Sequence, residues 1–542
     1  MQYLVHHMLL ESAARRPNHV AFVDDQHRLD YGTAARQVAA LAHQLQSLGI
    51  CRGDRVAIYL KPGVDLPLAI LAISMAGAVF VPVHHGQFPN QVSHILCDSG
   101  AAALITDGQR LERLGSVLNE GPSLRFAVAV QPKAEHVGGL PVYDFRDLAG
   151  STQTACLEEC IEKDLAAILY TSGSTGRPKG VMLSHANVLA GAEIVSEYLA
   201  LTEDDRVLAA LPMSFDAGLN QLTTALLKGC TTVLLDFRFG RDIVQRLVQE
   251  KITGLAGVPS LWSLLAQPSS GLAKQSLPDL RYITNTGGAL PQNVLQQLRD
   301  ALPDTDIVLM YGLTEAFRST YLPPAELDRR PTSMGKAIPN TEIMVINEDG
   351  KLCQAGEIGE LVHHGPTVSQ GYWGHPDLTA KVLRPHPAPQ PGRTNSDLVC
   401  YSGDLVKRDE EGFLYFVGRR DNQIKSAGFR ISPTEVEDVI CRVAPIRQAA
   451  VVGAPDEVLG QILVAFAIPQ ERSEALEPTQ VLSSCASKLP RHMIPKRIFL
   501  VDELPMTSSG KVNYPALRER VLTEAGGNTS PAPARELDLA DG

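Results

Sequence analysis

Residues 170–180 read Tyr170-Thr171-Ser172-Gly173-Ser174-Thr175-Gly176-Arg177-Pro178-Lys179-Gly180, and this stretch decides the fold. An apolar strand, Ala166-Ala167-Ile168-Leu169, leads into it, and Val181-Met182-Leu183-Ser184-His185 leads out. The glycines let the backbone turn tightly and bring several N–H groups to one focus, while Ser/Thr hydroxyls and two cations add donors. Such a loop suits a polyphosphate. It is not the Walker pattern, because Gly180 stands where Ser or Thr should follow the lysine. With a strand on either side, it does not read as a flexible linker.

Outward from the loop, strand-like and helical patterns alternate. Val38–Leu48 repeats apolar residues at helical spacing, and Arg55–Leu60 reads as a strand. Leu66–Val83 is long enough to span a membrane, but Pro67, Ser74, Gly77 and Pro82 interrupt it, so a buried helix running into a strand is expected. Ala103–Thr106, Ala209–Leu211, Thr231–Leu235, Tyr282–Thr284 and Ile307–Met310 are further strands, with helices at Ile243–Glu250 and Pro291–Leu302. This alternation predicts parallel sheets with helices on their faces. From Thr341 to Val417 short strands and turns suggest a small barrel-like antiparallel unit. Glu435–Cys441 reads as a helix, and Gln448–Val452 and Leu463–Ile468 as strands.

The chain has 542 residues, 49 basic against 60 acidic, for a net charge of −11. That balance lacks the footprint of a non-specific nucleic-acid binder. No leader or membrane span is expected, and the location is expected to be cytoplasmic. The nine cysteines include no CxxC pair, so buried thiols in a reducing compartment are expected.

Further motifs follow in order: Tyr311-Gly312-Leu313-Thr314-Glu315; Tyr401-Ser402-Gly403-Asp404; Gly418-Arg419-Arg420-Asp421 with Gly428-Phe429-Arg430-Ile431; and Pro505-Met506-Thr507-Ser508-Ser509-Gly510-Lys511. Together with the glycine-rich loop they resemble the AMP-forming adenylating superfamily of acyl-CoA ligases, non-ribosomal peptide adenylation domains and luciferases, over about residues 10–520. The resemblance implies an α/β fold. A large N-terminal core of two doubly wound subdomains and a small β-barrel occupies 1–418, followed by a hinge at 419–422, a small α+β lid at 423–524 and a disordered tail at 525–542.

The resemblance also implies chemistry. ATP and Mg²⁺ are the expected cofactors. Lys511, Glu315 and Thr171 are expected to be catalytic, Glu315 as the Mg²⁺ ligand, with Lys511 bridging substrate carboxylate and α-phosphate. Thr171, Ser172, Gly173, Ser174, Thr175, Gly176 and Lys179 would hold phosphates. Gly287, Gly288, Ala289, Tyr311, Gly312, Thr314, Asp404 and Arg419 would take adenine and ribose. Asp421 fits the hinge, and Gly428 would border a pantetheine tunnel.

The acid pocket is expected from Phe215, Asp216, Asn220, Gly257, Thr284, Thr286, Met310, Arg318 and Ser319. Asp216 stands where adenylation domains carry an aspartate for the substrate ammonium; a buried carboxylate needs such a cation. Arg318 either faces a polar group of the substrate or neutralises Asp216. The pocket reads as one for an amino acid or small polar acid, with a fatty or aryl acid as the alternative. A non-catalytic scaffold and a luciferase-like oxygenase stay more remote. The acceptor is CoA or the phosphopantetheine of a separate carrier protein.

Overall fold

The computed structural model describes residues 2–115, 117–118, 123–154, 159–171, 178–388, 392, 397–420, 424–426, 429–456, 460–470, 476–486, 488–489, 493–507 and 510–526. Expectations for Ser172, Gly173, Ser174, Thr175, Gly176, Asp421, Gly428 and the tail beyond 526 lie outside them.

The chain divides into two compact units, Met1–Ile343 with His363–Tyr401, and Met344–Val362 with Ser402–Gly542. This division differs from the boundary expected at 418. Residues on either side of that point are tied within the second unit, where the Ser432 hydroxyl donates to the Val417 carbonyl.

The first unit holds two large sheets. One runs Lys336–Ala337, Ala316–Leu322, Asp306–Leu313, Tyr282–Asn285, Gly254–Gly257, Arg206–Ala209, Thr231–Leu234, Val20–Val23, Arg28–Asp30. Its interior pairs are parallel and its edges antiparallel. The other runs Lys179–Ser184, Leu165–Thr171, Val79–Pro82, Arg55–Tyr59, Ala103–Asp107, Phe126–Val130, Leu140–Asp144, His136–Val137. It too is parallel inside.

The long apolar run is a buried helix, Asp65–Met75, leading into the strand Val79–Pro82. Every residue from Leu66 to Ser74 is buried, which explains the run's lack of a polar face. Among the described residues no helix is long and apolar enough to cross a membrane.

Two expectations shift. The helix expected at Val38 starts at Tyr31, because the Asp30 carboxylate accepts the Thr33 N–H (2.6 Å) and caps a first turn that lacks apolar periodicity. The strand expected at Ala209–Leu211 lies at Arg206–Ala209, in register with Thr231–Leu234. The thiol expectation needs correction as well: Cys230, Cys353, Cys400 and Cys485 are buried, but Cys51 and Cys97 are exposed. Cys156 lies outside the described residues.

In the second unit Asp404–Arg408 pairs antiparallel with Leu414–Arg419. A three-stranded sheet, Ile446–Asp456, Gly460–Pro469, Arg497–Leu500, packs with helices Pro433–Val443 and Pro478–Ala486 on one core, and a second core takes in Leu517 and Val521 of the helix Tyr514–Gly526.

Candidate active site

Parallel sheets present ligands at the carboxyl ends of their strands. In the first unit those ends are Gly257, Asn285 and the segment beginning at Met310, with the helix Asp216–Lys228 starting just past Ala209. Of the residues expected to bind substrate, Asp216, Gly257, Thr286 and Met310 fall at or beside these ends.

On the phosphate side, Thr171 ends one strand and Lys179 starts the next, directly opposite it. The loop's two ends are therefore pinned to each other. Lys179 Nζ lies 5.8 Å from the centroid of the Tyr372 ring, and the Tyr372 hydroxyl donates to Glu315 Oε1 (2.5 Å). Tyr372 thus bridges the expected phosphate lysine and the expected metal ligand.

Residues 367–373 staple this arrangement. Thr367 O accepts from Phe317 N (2.9 Å) and Ser369 N donates to Glu315 O (2.9 Å). Farther on, Met182 N donates to Gly371 O (2.9 Å) and Trp373 N to Gly180 O (2.8 Å). One segment thereby fastens the Glu315 motif to the loop's return strand. Sequence reasoning missed Tyr372; its only signal was a tyrosine beside Gly371 and Trp373.

Among the residues expected to take adenine, Tyr311 stacks on His363, with ring centroids 6.0 Å apart and planes at 15°. His363 is buried, and neither ring nitrogen has a hydrogen-bond partner among the described residues. Burial pushes its imidazole down to about 3, so it is neutral at ordinary pH. Sequence reasoning missed this residue too. The Gly287–Gly288 turn is held by Asn285 Nδ2, which donates to Gly288 O (2.9 Å), and Gly287 takes φ +79°. Ala289 is exposed.

Where the acid pocket is expected, Arg318 and Asp216 meet, with Nη1 and Oδ2 3.5 Å apart. Arg318 is only 3% exposed and its φ is +139°, a conformation side-chain-bearing residues rarely adopt. Gly312 permits this: a Cβ there would lie 3.1 Å from the Arg318 Cα. Asn220 sits one helical turn beyond Asp216 and is buried. Ser214 Oγ, Asn220 Nδ2 and Arg318 Nε are buried without a hydrogen-bond partner among the described residues. Phe215 lies beside His84, ring centroids 5.8 Å apart, and burial with the neighbouring His85 lowers His84 to about 4.

Gly257 accepts the Thr286 N–H (3.0 Å), and a Cβ on Gly257 would sit 2.5 Å from the Trp262 ring. Other expected pocket residues have different surroundings. Met310 packs with Val195 and Val308, and the Ser319 hydroxyl donates to Ala316 O (3.3 Å). Thr284 is buried within the parallel strands.

In the second unit Asp404 and Arg419 are cross-strand partners, and Arg419 Nη1 donates to Asp404 Oδ1 (2.8 Å). Asp404 N also donates to Ser402 Oγ (3.0 Å), and the Asp404 side chain is buried. Lys511 is exposed at the tip of a hairpin closed by Thr507 N to Lys511 O (2.7 Å), with Gly510 at φ +76°.

Among the described residues one cluster has metal-like composition: Glu342, His364 and His386. Its hydrogen bonds argue against a metal. Ala388 N donates to His386 Nδ1 (3.1 Å), which leaves the neutral ring's proton on Nε2, facing Glu342 Oε2 at 3.2 Å. His386 is therefore a donor there, and the hydrogen bond from His364 lowers Glu342 below its usual range.

The first unit thus places Lys179, Glu315 and Tyr311, three residues that the motifs single out, at or beside strand ends. The sequence model of the AMP-binding enzyme family matches residues 9–373, and that of the AMP-binding enzyme C-terminal domain matches 435–511. The chain belongs to the AMP-binding enzyme family, and so to the AMP-forming adenylating superfamily.

It is 31% identical to Delta-poly-L-ornithine synthetase of Acinetobacter baumannii over 94% of this chain, spanning 36% of that much longer protein. It is 32% identical to a feruloyl-CoA synthase of Amycolatopsis sp, over 91% of this chain and 94% of the relative. Among solved structures it is similar to ATP-bound MatB from Rhodopseudomonas palustris, at 26% identity and a TM-score of 0.83, covering 96% of this chain and 99% of that one.

Proposed function

We propose that this chain activates an amino acid or other small polar carboxylic acid as its adenylate. It then hands the acyl group to a thiol, of CoA or of a separate carrier protein. The observation that carries the acid class is the pocket's polarity. Arg318 and Asp216 pair there, and buried atoms of Ser214, Asn220 and Arg318 have no hydrogen-bond partner among the described residues. An alkyl chain would leave each of them desolvated, at about 1–3 kcal/mol apiece. A polar acid answers them.

In the first half-reaction a substrate carboxylate oxygen attacks the α-phosphorus and pyrophosphate leaves with its bonding electrons. In the second, a thiolate sulfur attacks the acyl carbonyl and AMP leaves. Two anions meet in the first step, so the protein must supply positive charge where negative charge concentrates. Lys511 supplies it at the carboxylate and α-phosphate. Lys179 and Thr171 hold the distal phosphates, Tyr311 faces adenine, and Asp404 with Arg419 takes the ribose hydroxyls. Glu315, oriented by Tyr372, would hold Mg²⁺; one carboxylate beside phosphate oxygens suits that ion. Mg²⁺, when bound, neutralises phosphate charge.

Asp216 already has a cation in Arg318, and its side chain keeps 18% exposure, so an ammonium would share the carboxylate rather than rescue it. A second reading, an aryl or fatty acyl-CoA ligase, draws support from the match to the feruloyl-CoA synthase over 91% of this chain and 94% of that one.

ATP–pyrophosphate exchange with all proteinogenic amino acids beside short polar, aryl and long-chain acids tests the proposal. Exchange with a polar acid supports it. Exchange with long-chain or aryl acids alone transfers the assignment to the second reading.

A further inference from the structure

The lid buries an acid in a place where packing alone would favour a hydrocarbon. Glu437 lies on the helix Pro433–Val443, and its Oε1 accepts two donors, Val451 N of the edge strand Ile446–Asp456 (2.7 Å) and the Tyr514 hydroxyl (2.9 Å). A buried carboxyl is costly unless hydrogen-bonded, and both bonds converge on one oxygen. Tyr514 opens the last helix, three residues after Lys511. Asn513, between them, caps that helix: its Oδ1 accepts from Ala516 N (3.2 Å), and its N donates to Pro505 O (2.7 Å) at the hairpin's base. The hairpin closes on itself through Thr507, Gly510 and Lys511, so its direction is set where it joins the helix.

We infer that Glu437 is a positioning residue for Lys511, acting through the Tyr514 hydroxyl, which orients the base of the lysine hairpin. This rests on the reading of Lys511 as the adenylation cation. The charged neighbours do not offer a substitute acceptor for Tyr514. Asp438 follows on the same helix and raises both Glu437 and Tyr514, while Arg442 pairs with Asp438 (3.7 Å). Burial holds Glu437 up at about 7 and Tyr514 above its ordinary value, as expected for a shared, enclosed hydrogen bond.

The test uses the full chain and reads the two half-reactions apart. Tyr514→Phe keeps the ring and removes the hydroxyl; Glu437→Leu removes the acceptor; Glu437→Gln keeps a carbonyl for both donors. Tyr514→Phe and Glu437→Leu should each slow adenylation about tenfold in kcat, a modest misplacement. KM for ATP and the thioester step from preformed adenylate should stay within about twofold of wild type. Glu437→Gln should restore adenylation, and the double variant Tyr514→Phe/Glu437→Leu should be no slower than either single one.

Amide hydrogen exchange gives a readout that needs no substrate: protection should fall at residues 505–513 in Tyr514→Phe and return to wild type in Glu437→Gln. Wild-type adenylation or unchanged exchange in Tyr514→Phe overturns the inference, provided Lys511→Ala has lost adenylation. If Lys511→Ala keeps adenylation, the reading of Lys511 fails and the inference falls with it. Equal losses in both half-reactions also overturn it.

Discussion

Arg318 reaches Asp216 at 3.5 Å from a backbone held at φ +139°. Strain of that kind costs on the order of 1–3 kcal/mol and persists where surrounding structure enforces it. The strained residue is here the buried cation of the proposed acid pocket. Asp216→Asn should destabilise the chain by about 2 kcal/mol, because it leaves Arg318 buried without an anion. Asp216→Asn/Arg318→Met should recover most of that stability in urea unfolding while losing the preferred acid. A double variant no more stable than Asp216→Asn would show that the pair contributes nothing structural.

Lys511→Ala should reduce adenylate formation by about 10²–10³-fold, as other removed electrostatic stabilisers do. Transfer from a synthetic acyl-adenylate should change little. Quench-flow measurement of both steps checks this, and equal losses would refute the division of labour.

Asp404→Asn should raise KM for ATP by about tenfold, since a hydroxyl bonds a carboxylate more strongly than an amide. With 3′-deoxy-ATP and 2′-deoxy-ATP the gap between variant and wild type should shrink for at least one analogue. An undiminished gap for both would separate Asp404 from the ribose.

Gly257→Val should raise KM for the acid and leave KM for ATP alone, because the new side chain must displace the Trp262 ring from 2.5 Å. Equal shifts in both constants, measured by exchange kinetics, would mean that Gly257 does not line the acid pocket.

His363 gives the first unit an acid limit. Its folded value, about 3, lies below the ordinary 6.5, so the unfolded chain binds the extra proton. The contribution is complete above pH 6.5 and is lost as pH falls toward 3, at up to about 1.4 kcal/mol per pH unit. His363→Phe keeps a ring against Tyr311 and should flatten that slope in urea titrations between pH 4 and pH 7. An unchanged slope would assign the acid sensitivity elsewhere.

Much of the architecture was legible because the signals were local. The helix Asp65–Met75 and the strand Val79–Pro82 follow from one apolar run and its glycine, and the strands beside Thr171 follow from the loop between them. The expected residues Glu315, Tyr311, Asp404 and Arg419 came from ordered motifs. What stayed hidden depends on distance in space. Tyr372 gains its role from Glu315, fifty-seven positions away, and His363 from the ring it stacks on. No periodicity encodes either relation. The choice between two readings of Arg318 was open in sequence, and the 3.5 Å contact favours neutralisation of Asp216.

The staple formed by residues 367–373 has an evolutionary corollary. It cross-braces Glu315 and Lys179 into one frame, so a change in either is felt by the other. Asp216, Gly257 and Arg318, the residues proposed to face the acid, instead sit on separate elements: a helix start, a strand end and an antiparallel strand. Such a chassis can be refitted for a new acid one loop at a time while its grip on the nucleotide is inherited whole.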